Sequence, residues 1–168
     1  RQILEKDLMD KVMNSLGNKI NESVLVIQGK NWHEGVIGIV ASRIKDKFNK
    51  PVIIISMDTN GIGKASARSI VGFDVGSVII SAVQENILIK GGGHKMAGGF
   101  TMKIENIEKF KKFIFKKFEK LSINHTKLKP LYLDSVIAPT ALNLQVYNKV
   151  NTLAPFGSGN PEPKFVLE

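Results

Sequence analysis

SVLVIQGKNWHEGVIGIVASRIKDKFNKPVIIIS, residues 23–56, decides the fold. Ser23–Gln28 is a short apolar run rich in β-branched residues and reads as a buried strand, with the polar stretch 29–35 as its exit loop. Val36, Ile37, Val40, Ile44 and Phe48 then recur at helical spacing, and Lys50-Pro51 ends the helix. Val52–Ser56 is a second strand without polar alternation. Strand, helix and strand with unbroken apolar runs describe a βαβ unit in a sheet covered on both faces.

Outward from that unit the pattern continues. Asn60-Gly61 marks a turn, and Ile62–Arg68 reads as a third strand of small residues. A helix is expected over Val75–Leu88, with Val75, Val78, Ile79, Ala82, Val83, Asn86 and Ile87 inward. Five glycines fall within residues 91–99, after which Phe100–Ile104 can return as a strand. Residues 105–121 form the clearest helix, with Ile107, Phe110, Ile114, Phe118 and Leu121 on one side and Lys109, Lys112, Lys116 and Lys120 elsewhere. Upstream, Ile3, Leu4, Leu8, Val12 and Leu16 predict an amphipathic helix over 2–16, stopped by Gly17-Asn18. Downstream, the polar stretch 124–129 reads as a boundary. A strand over 131–137, a helix over 140–150 and a rigid loop over 154–163 follow it, and the chain stops at 164–168 in what looks like the start of a strand.

Composition removes several classes. The 168 residues include no cysteine, which excludes disulfide scaffolds, cysteine-ligated zinc and thiol nucleophiles. With 43% hydrophobic and 23% charged residues the chain is an ordinary globular one. No apolar run reaches the roughly 18 residues of a spanning helix, and the first ten residues are too charged for a secretion signal, so no membrane partner and a cytoplasmic location are expected. The net charge of +9 invites a polyanion. Almost all of it is lysine, a mobile point charge; the only arginines, whose planar fork holds phosphate in fixed geometry, are Arg1, Arg43 and Arg68. The start at Arg1 and the end inside a strand pattern read as a fragment.

The glycine-rich segment Gly91-Gly-Gly-His94 could gather backbone N–H groups around an anion beside a histidine donor, or could serve only a close-packed turn. It is not a dinucleotide fingerprint, because a helix rather than a strand leads into it. Gly63-Lys64 is not a phosphate-binding P-loop either, since that spacing requires glycine and serine or threonine where Asp58 and Ala65 stand. Strand periodicity places Lys64, Ser66 and Arg68 on one face, as a solvated edge or an oxyanion-binding surface. In the loop after the first strand, Trp32 is expected to cap the core rather than stack on a base. His33 and Glu34 lack a third metal ligand, the other histidines being His94 and His125. The lysines of 105–121 read as a solvated face rather than a groove for nucleic acid. From these residues the chain is an α/β module for a phosphorylated, polynucleotide ligand, with no catalytic machinery of its own.

Three segments together resemble a known family. Asn31-Trp-His-Glu-Gly-Val-Ile-Gly-Ile-Val-Ala-Ser-Arg43, then Gly63-Lys-Ala-Ser-Ala-Arg-Ser69 with Gly91-Gly-Gly-His-Lys-Met-Ala-Gly-Gly99, and Leu153-Ala-Pro-Phe-Gly-Ser-Gly-Asn-Pro-Glu-Pro163 are similar, in order, to the C-terminal half of bacterial RecJ exonucleases. The similarity runs from about residue 20 to the end. It implies a single-strand-specific DNA exonuclease acting 5′→3′ in recombination and repair. Its partners would be single-stranded DNA and an N-terminal DHH domain of the same protein, which holds Mn²⁺ or Mg²⁺ and is absent from this chain; the fragment alone would be inactive and metal-free. The implied fold is α/β, a mixed sheet flanked by helices, followed by an incomplete OB-like β segment. The implied boundaries are 1–18 for a linker helix, 19–124 for the DHH-associated domain and 125–168 for the truncated OB-type domain. Carried over onto this sequence, Arg68 and Ser69, with Gly92, Gly93 and His94, would hold phosphate beside Lys64 and Ser66, and His33 would line the same cleft. Ala67 departs from the glycine expected there. The alternatives are a DHH-family phosphodiesterase for oligoribonucleotides or cyclic dinucleotides, a non-catalytic RNA-binding module as at the end of alanyl-tRNA synthetases, and a structural domain with accidental charge.

Overall fold

A computed structural model describes residues 2–122, 131–157 and 159–168. The chain divides into two compact units, residues 1–126 and 127–168. The expected polar boundary at 124–129, and His125 with it, lies outside the described residues.

The first unit contains α1 (Gln2–Leu16), β1 (Leu25–Lys30), α2 (Glu34–Phe48), β2 (Val52–Met57), β3 (Ile62–Arg68), α3 (Val75–Gln84), β4 (Lys90–His94), β5 (Ala97–Lys103) and α4 (Ile107–Ser122). The strands form one sheet in the order β1-β2-β3-β5-β4. β1 and β2, joined through α2, are parallel; every other neighbour is antiparallel, so the sheet is mixed, with helices on both faces.

Alternation along the central strands divides the interior into two cores. Leu25, Ile27, Val52 and Ile54 point to one side and pack with Leu8, Val12 and Leu16 of α1 and Val36, Ile37, Val40 and Ile44 of α2. Val24, Val26, Ile53 and Ile55 point to the other and meet Val75, Val78 and Ile79 of α3 and Ile107, Phe110 and Ile114 of α4. Both faces of Leu25–Ile27 in β1 and of Val52–Ile55 in β2 are thus dry, which is why these runs do not alternate with polar residues. The helix expected as a linker, α1, contributes the buried side chains of Leu8, Val12 and Leu16 to the first core.

Three elements of the first unit differ from expectation. The first strand lies two residues later and runs through Gly29-Lys30, because Gln28–Lys30 pair with Ile55–Met57. A Cβ on Gly29 would run into the Trp32 indole, so only glycine lets that ring fold back there. The helix over 75–88 stops at Gln84: Asn86 adopts a left-handed φ of 54°, Ile87 N–H donates to Ala82 O and Asn86 N–H to Val83 O. This is a Schellman end, and Ile87 buries itself against the core instead of continuing the helix. The glycine segment, expected as a loop or anion nest, is a β-hairpin with Gly91, Gly92 and Gly93 opposite Phe100, Gly99 and Gly98. Glycine has little strand propensity, so this hairpin owes its form to pairing with β3 rather than to local preference.

Asp74 caps α3, its carboxylate accepting from Ser77 N–H at 3.0 Å. That backbone donor holds its pKa below the usual carboxylate value. The cap therefore stabilises the fold fully above the ordinary aspartate range, and the contribution is lost as pH falls through the lowered value. Thermal melts between pH 7 and 3 are expected to show less acid destabilisation for Asp74→Asn, which keeps the cap without the charge, than for the parent chain.

In the second unit β6 (Ser135–Ile137) pairs in parallel with β7 (Phe165–Leu167), and α5 (Leu144–Asn151) lies between them in sequence. The expected helix over 140–150 starts later because Asn143 is its cap, accepting from Val146 N–H at 3.0 Å. The loop over 154–163 is pinned by Asn160, whose amide donates to Leu153 O at 2.8 Å and Pro155 O at 3.0 Å.

Candidate nucleic-acid interface

The sheet of the first unit is unevenly covered. α3 packs over β4 and β5 on one face; on the other, α2 reaches across β2 to β3 and no helix packs beyond it among the described residues. On that open side β3 presents Lys64, Ser66 and Arg68. By register, β5 adds Ala97, Gly99 and Thr101, and β4 adds Lys90, Gly92 and His94. The result is a platform with cationic and hydroxyl groups around a floor of small residues.

Arg68 is the most constrained group on it. Its Nε donates to Ser42 Oγ of α2 at 3.0 Å, and its Nη1 donates to Ser66 Oγ at 3.0 Å and to Ala67 O at 2.8 Å. Nη2 has no protein partner among the described residues, and no carboxylate pairs with this arginine, whereas Arg43 pairs with Glu5 of α1. The guanidinium is therefore held in one orientation with a pair of donors unused. Ser42 donates its own proton to Gly38 O, at 3.1 Å, but the Ser66 hydroxyl proton has no such acceptor among the described residues and can serve a ligand. Gly38 makes room for the arrangement: a Cβ there would sit 3.0 Å from Arg68 Nη2 and 3.1 Å from Ser66 Oγ.

Lys64 Nζ lies 2.8 Å from Glu34 Oε1 in the first turn of α2, and that hydrogen bond raises the pKa of the lysine and keeps it charged. The pair stands between two clefts. One, of about 380 Å³, is lined by Gly35, Gly38, Ser66 and Arg68; the other, of about 420 Å³, by Asn31, Trp32, His33, Ser56 and Asp58. His33 caps α2, its Nδ1 accepting from Gly35 N–H at 3.1 Å, which places the ring proton on Nε2. Trp32 is partly buried against the first core, and its carbonyl accepts from Ser56 Oγ at 2.7 Å.

The five glycines separate by face. Cβ atoms on Gly91 and Gly98 would strike Ile79 of α3, at 2.8 and 2.5 Å. One on Gly93 would run into Ala97 O, and one on Gly76 of α3 would lie 2.9 Å from Gly93 O. These glycines are needed for packing. Gly92 has nothing within 4 Å, and Gly99 only Ala65 O at 3.4 Å, both on the open face. Packing does not ask for glycine at either.

The structure thus brings Lys64, Ser66, Arg68, Gly92 and His94 to one face and sets His33 beside it. Gly93 belongs to the packed side. Ser69 does too: it is 1% exposed and its hydroxyl donates to Phe73 O at 2.6 Å, so it ties the end of β3 to the loop before α3 and has no access to a ligand. Among the described residues no three histidine or acidic side chains gather to hold a metal ion, and no helix is long and apolar enough to cross a membrane.

The model of the family described as "DHHA1 domain" matches residues 21–120, and that of the "RecJ OB domain" matches residues 133–168. The chain belongs to the DHHA1 domain family. With the OB-domain match behind it, this DHHA1 chain corresponds to the C-terminal part of RecJ. It is 36% identical over 138 residues to the single-stranded-DNA-specific exonuclease RecJ of Haemophilus influenzae, covering 80% of the chain and 24% of that protein. The crystal structure of RecJ in complex with Mn²⁺ from Thermus thermophilus superposes with a TM-score of 0.81 at 31% identity, over 99% of the chain and 24% of the other. The Mg²⁺ complex from the same organism gives a TM-score of 0.77 at 28% identity, over 97% of the chain and 24% of the other. The chain spans about a quarter of the length of these relatives.

Several residues of the DHHA1 face escaped the sequence reading. Gly99, Thr101 and Lys90 join it only through the register of β5 and β4. Ser42 was hidden in a helix, although Gly38, a glycine inside a helical pattern, signalled a close approach four residues earlier.

Proposed function

We propose that this chain is the substrate-gripping part of a RecJ-type single-stranded-DNA exonuclease, acting 5′→3′ in cytoplasmic recombination and repair. The open face of β3, β5 and β4 holds the phosphate backbone of a single strand, while a metal-bearing DHH domain of the same protein carries out hydrolysis. The observation that carries this reading is Arg68: a buttressed guanidinium that has, among the described residues, Nη2 unused and no acidic partner, beside the available Ser66 hydroxyl. Such a group offers a phosphate fixed donors without reorganisation, the contribution that positions a phosphodiester for attack.

The glycine floor supports the same reading. Without Cβ atoms at Gly92 and Gly99, a sugar-phosphate chain can lie close to the strands. An open, shallow face also suits a flexible single strand, whose phosphates can adapt to cations set by the sheet. The described residues offer no cluster to hold Mn²⁺ or Mg²⁺, so no step through a metal is assigned to them. The chain alone is expected to bind single strands and not to cleave them.

A salt titration tests the reading. Arg68 and Lys90 supply two cationic contacts outside the Lys64–Glu34 pair, so log K against log salt should have a slope of about −1.4 on oligothymidylate, at roughly −0.7 per contact. Binding that ignores salt, or that prefers tRNA to single-stranded DNA, would contradict it.

A further inference from the structure

Lys64 and Arg68 stand at opposite ends of one row on β3, four strand residues and about 13 Å apart. Their surroundings differ in kind. Arg68 is held by neutral oxygens of Ser42, Ser66 and Ala67, none of which a phosphate must displace to reach Nη2. Lys64 is held by a carboxylate, Glu34 Oε1 at 2.8 Å, and a phosphate can take the full charge of that ammonium only by displacing it. Both partners are half exposed, 53% and 58%, so the ion pair opens readily. The backbone keeps Glu34 close by: as the first residue of α2 it complements the positive end of the helix, and it lines both clefts that meet at Lys64.

We propose that Glu34 is a built-in competitor for the substrate at Lys64. Resting on the reading of this face as a phosphate grip, the competition gives the grip two unlike ends: Arg68 holds, and Lys64 exchanges its phosphate for the Glu34 carboxylate. When a phosphate leaves Lys64, the carboxylate returns to the ammonium, so release at that end leaves no uncompensated charge. A protein that must let a strand advance after each cleavage gains a low barrier to stepping from such an exchange. Glu34 is thus a positioning residue that sets how tightly and how long the strand is held.

The test is binding of 5′-phosphorylated oligothymidylate to the 168-residue chain, followed by fluorescence anisotropy across a salt series. Glu34→Gln is expected to tighten binding roughly two- to fivefold, the range set by exposed ion pairs, mostly through slower dissociation. It should also steepen the salt slope by about 0.7. In a Lys64→Ala background the same substitution should change nothing. The proposal is overturned if Glu34→Gln fails to tighten binding or tightens it equally without Lys64. Equal tightening by Asp7→Asn, which removes a paired acid on α1, would overturn it too, as an effect of net charge alone. Loss of binding in Arg68→Ala with no effect of Glu34→Gln would sink this inference and leave the phosphate grip standing; an unaffected Arg68→Ala would sink the grip itself.

Discussion

Replacing Arg68 by alanine is expected to weaken single-stranded DNA binding by roughly tenfold to a hundredfold, the range for losing a hydrogen bond to a charged partner. The salt slope should fall by about 0.7, one cationic contact. Arg68→Lys should keep the slope and still lose most of the affinity. The reason lies in the buttressing: Nε and Nη1 are committed to Ser42, Ser66 and Ala67, so Nη2 is aimed by the protein before any ligand arrives. A lysine ammonium in its place would restore the charge without the planar fork, and its donors would have to be ordered on binding. Ser42→Ala removes one buttress without touching the ligand, and should give a smaller loss with an unchanged slope. The same loss for lysine and alanine, with no change of slope in either, would mean that the arginine only supports the sheet.

Alanine at Gly92 and at Gly93 should have opposite consequences, although the residues are neighbours in one strand. Gly93→Ala drives a methyl into the backbone of Ala97 and Gly98, and Gly76→Ala drives one into Gly93 and His94 from the helix side, with contacts of 2.9 Å to main-chain atoms that cannot rotate away. Each should lower stability by roughly 1–3 kcal/mol or more in urea unfolding, the usual range for overpacking. Gly92→Ala enters open space and should leave stability unchanged or raise it by up to about 1 kcal/mol through the unfolded chain. Its effect should be on binding, because the methyl stands where the strand is expected to lie. A Gly92→Ala variant that binds single strands as tightly as the parent would remove the reason offered for glycine at that position.

The elements that were readable in advance were those whose side chains carry the signal. β3 has the bounds expected from Asn60-Gly61 and the small-residue run, and α2 and α4 follow their apolar spacing. The hairpin was not readable, since glycine announces neither strand nor face. Only the pairing Gly92↔Gly99 and Gly93↔Gly98 reveals that a single run of glycines serves packing on one side and an open surface on the other. The row Lys64, Ser66 and Arg68 follows from period two alone, and the same rule turns Ser69 away from it, into the hydrogen bond with Phe73 O. Net charge was the least informative signal. Lys109, Lys112, Lys116 and Lys120 carry much of it on α4, which packs over the second core, on the opposite side of the sheet from the platform.

That separation permits a direct measurement. Amide chemical shifts of the 168-residue chain, followed by NMR during titration with 5′-phosphorylated oligothymidylate, report which face the nucleic acid meets. The largest changes are predicted at Lys64, Ser66, Arg68, Gly92 and Gly99, with α4 unmoved. Changes confined to the α4 lysines, with β3 and the glycine hairpin unaffected, would contradict the assignment of the interface.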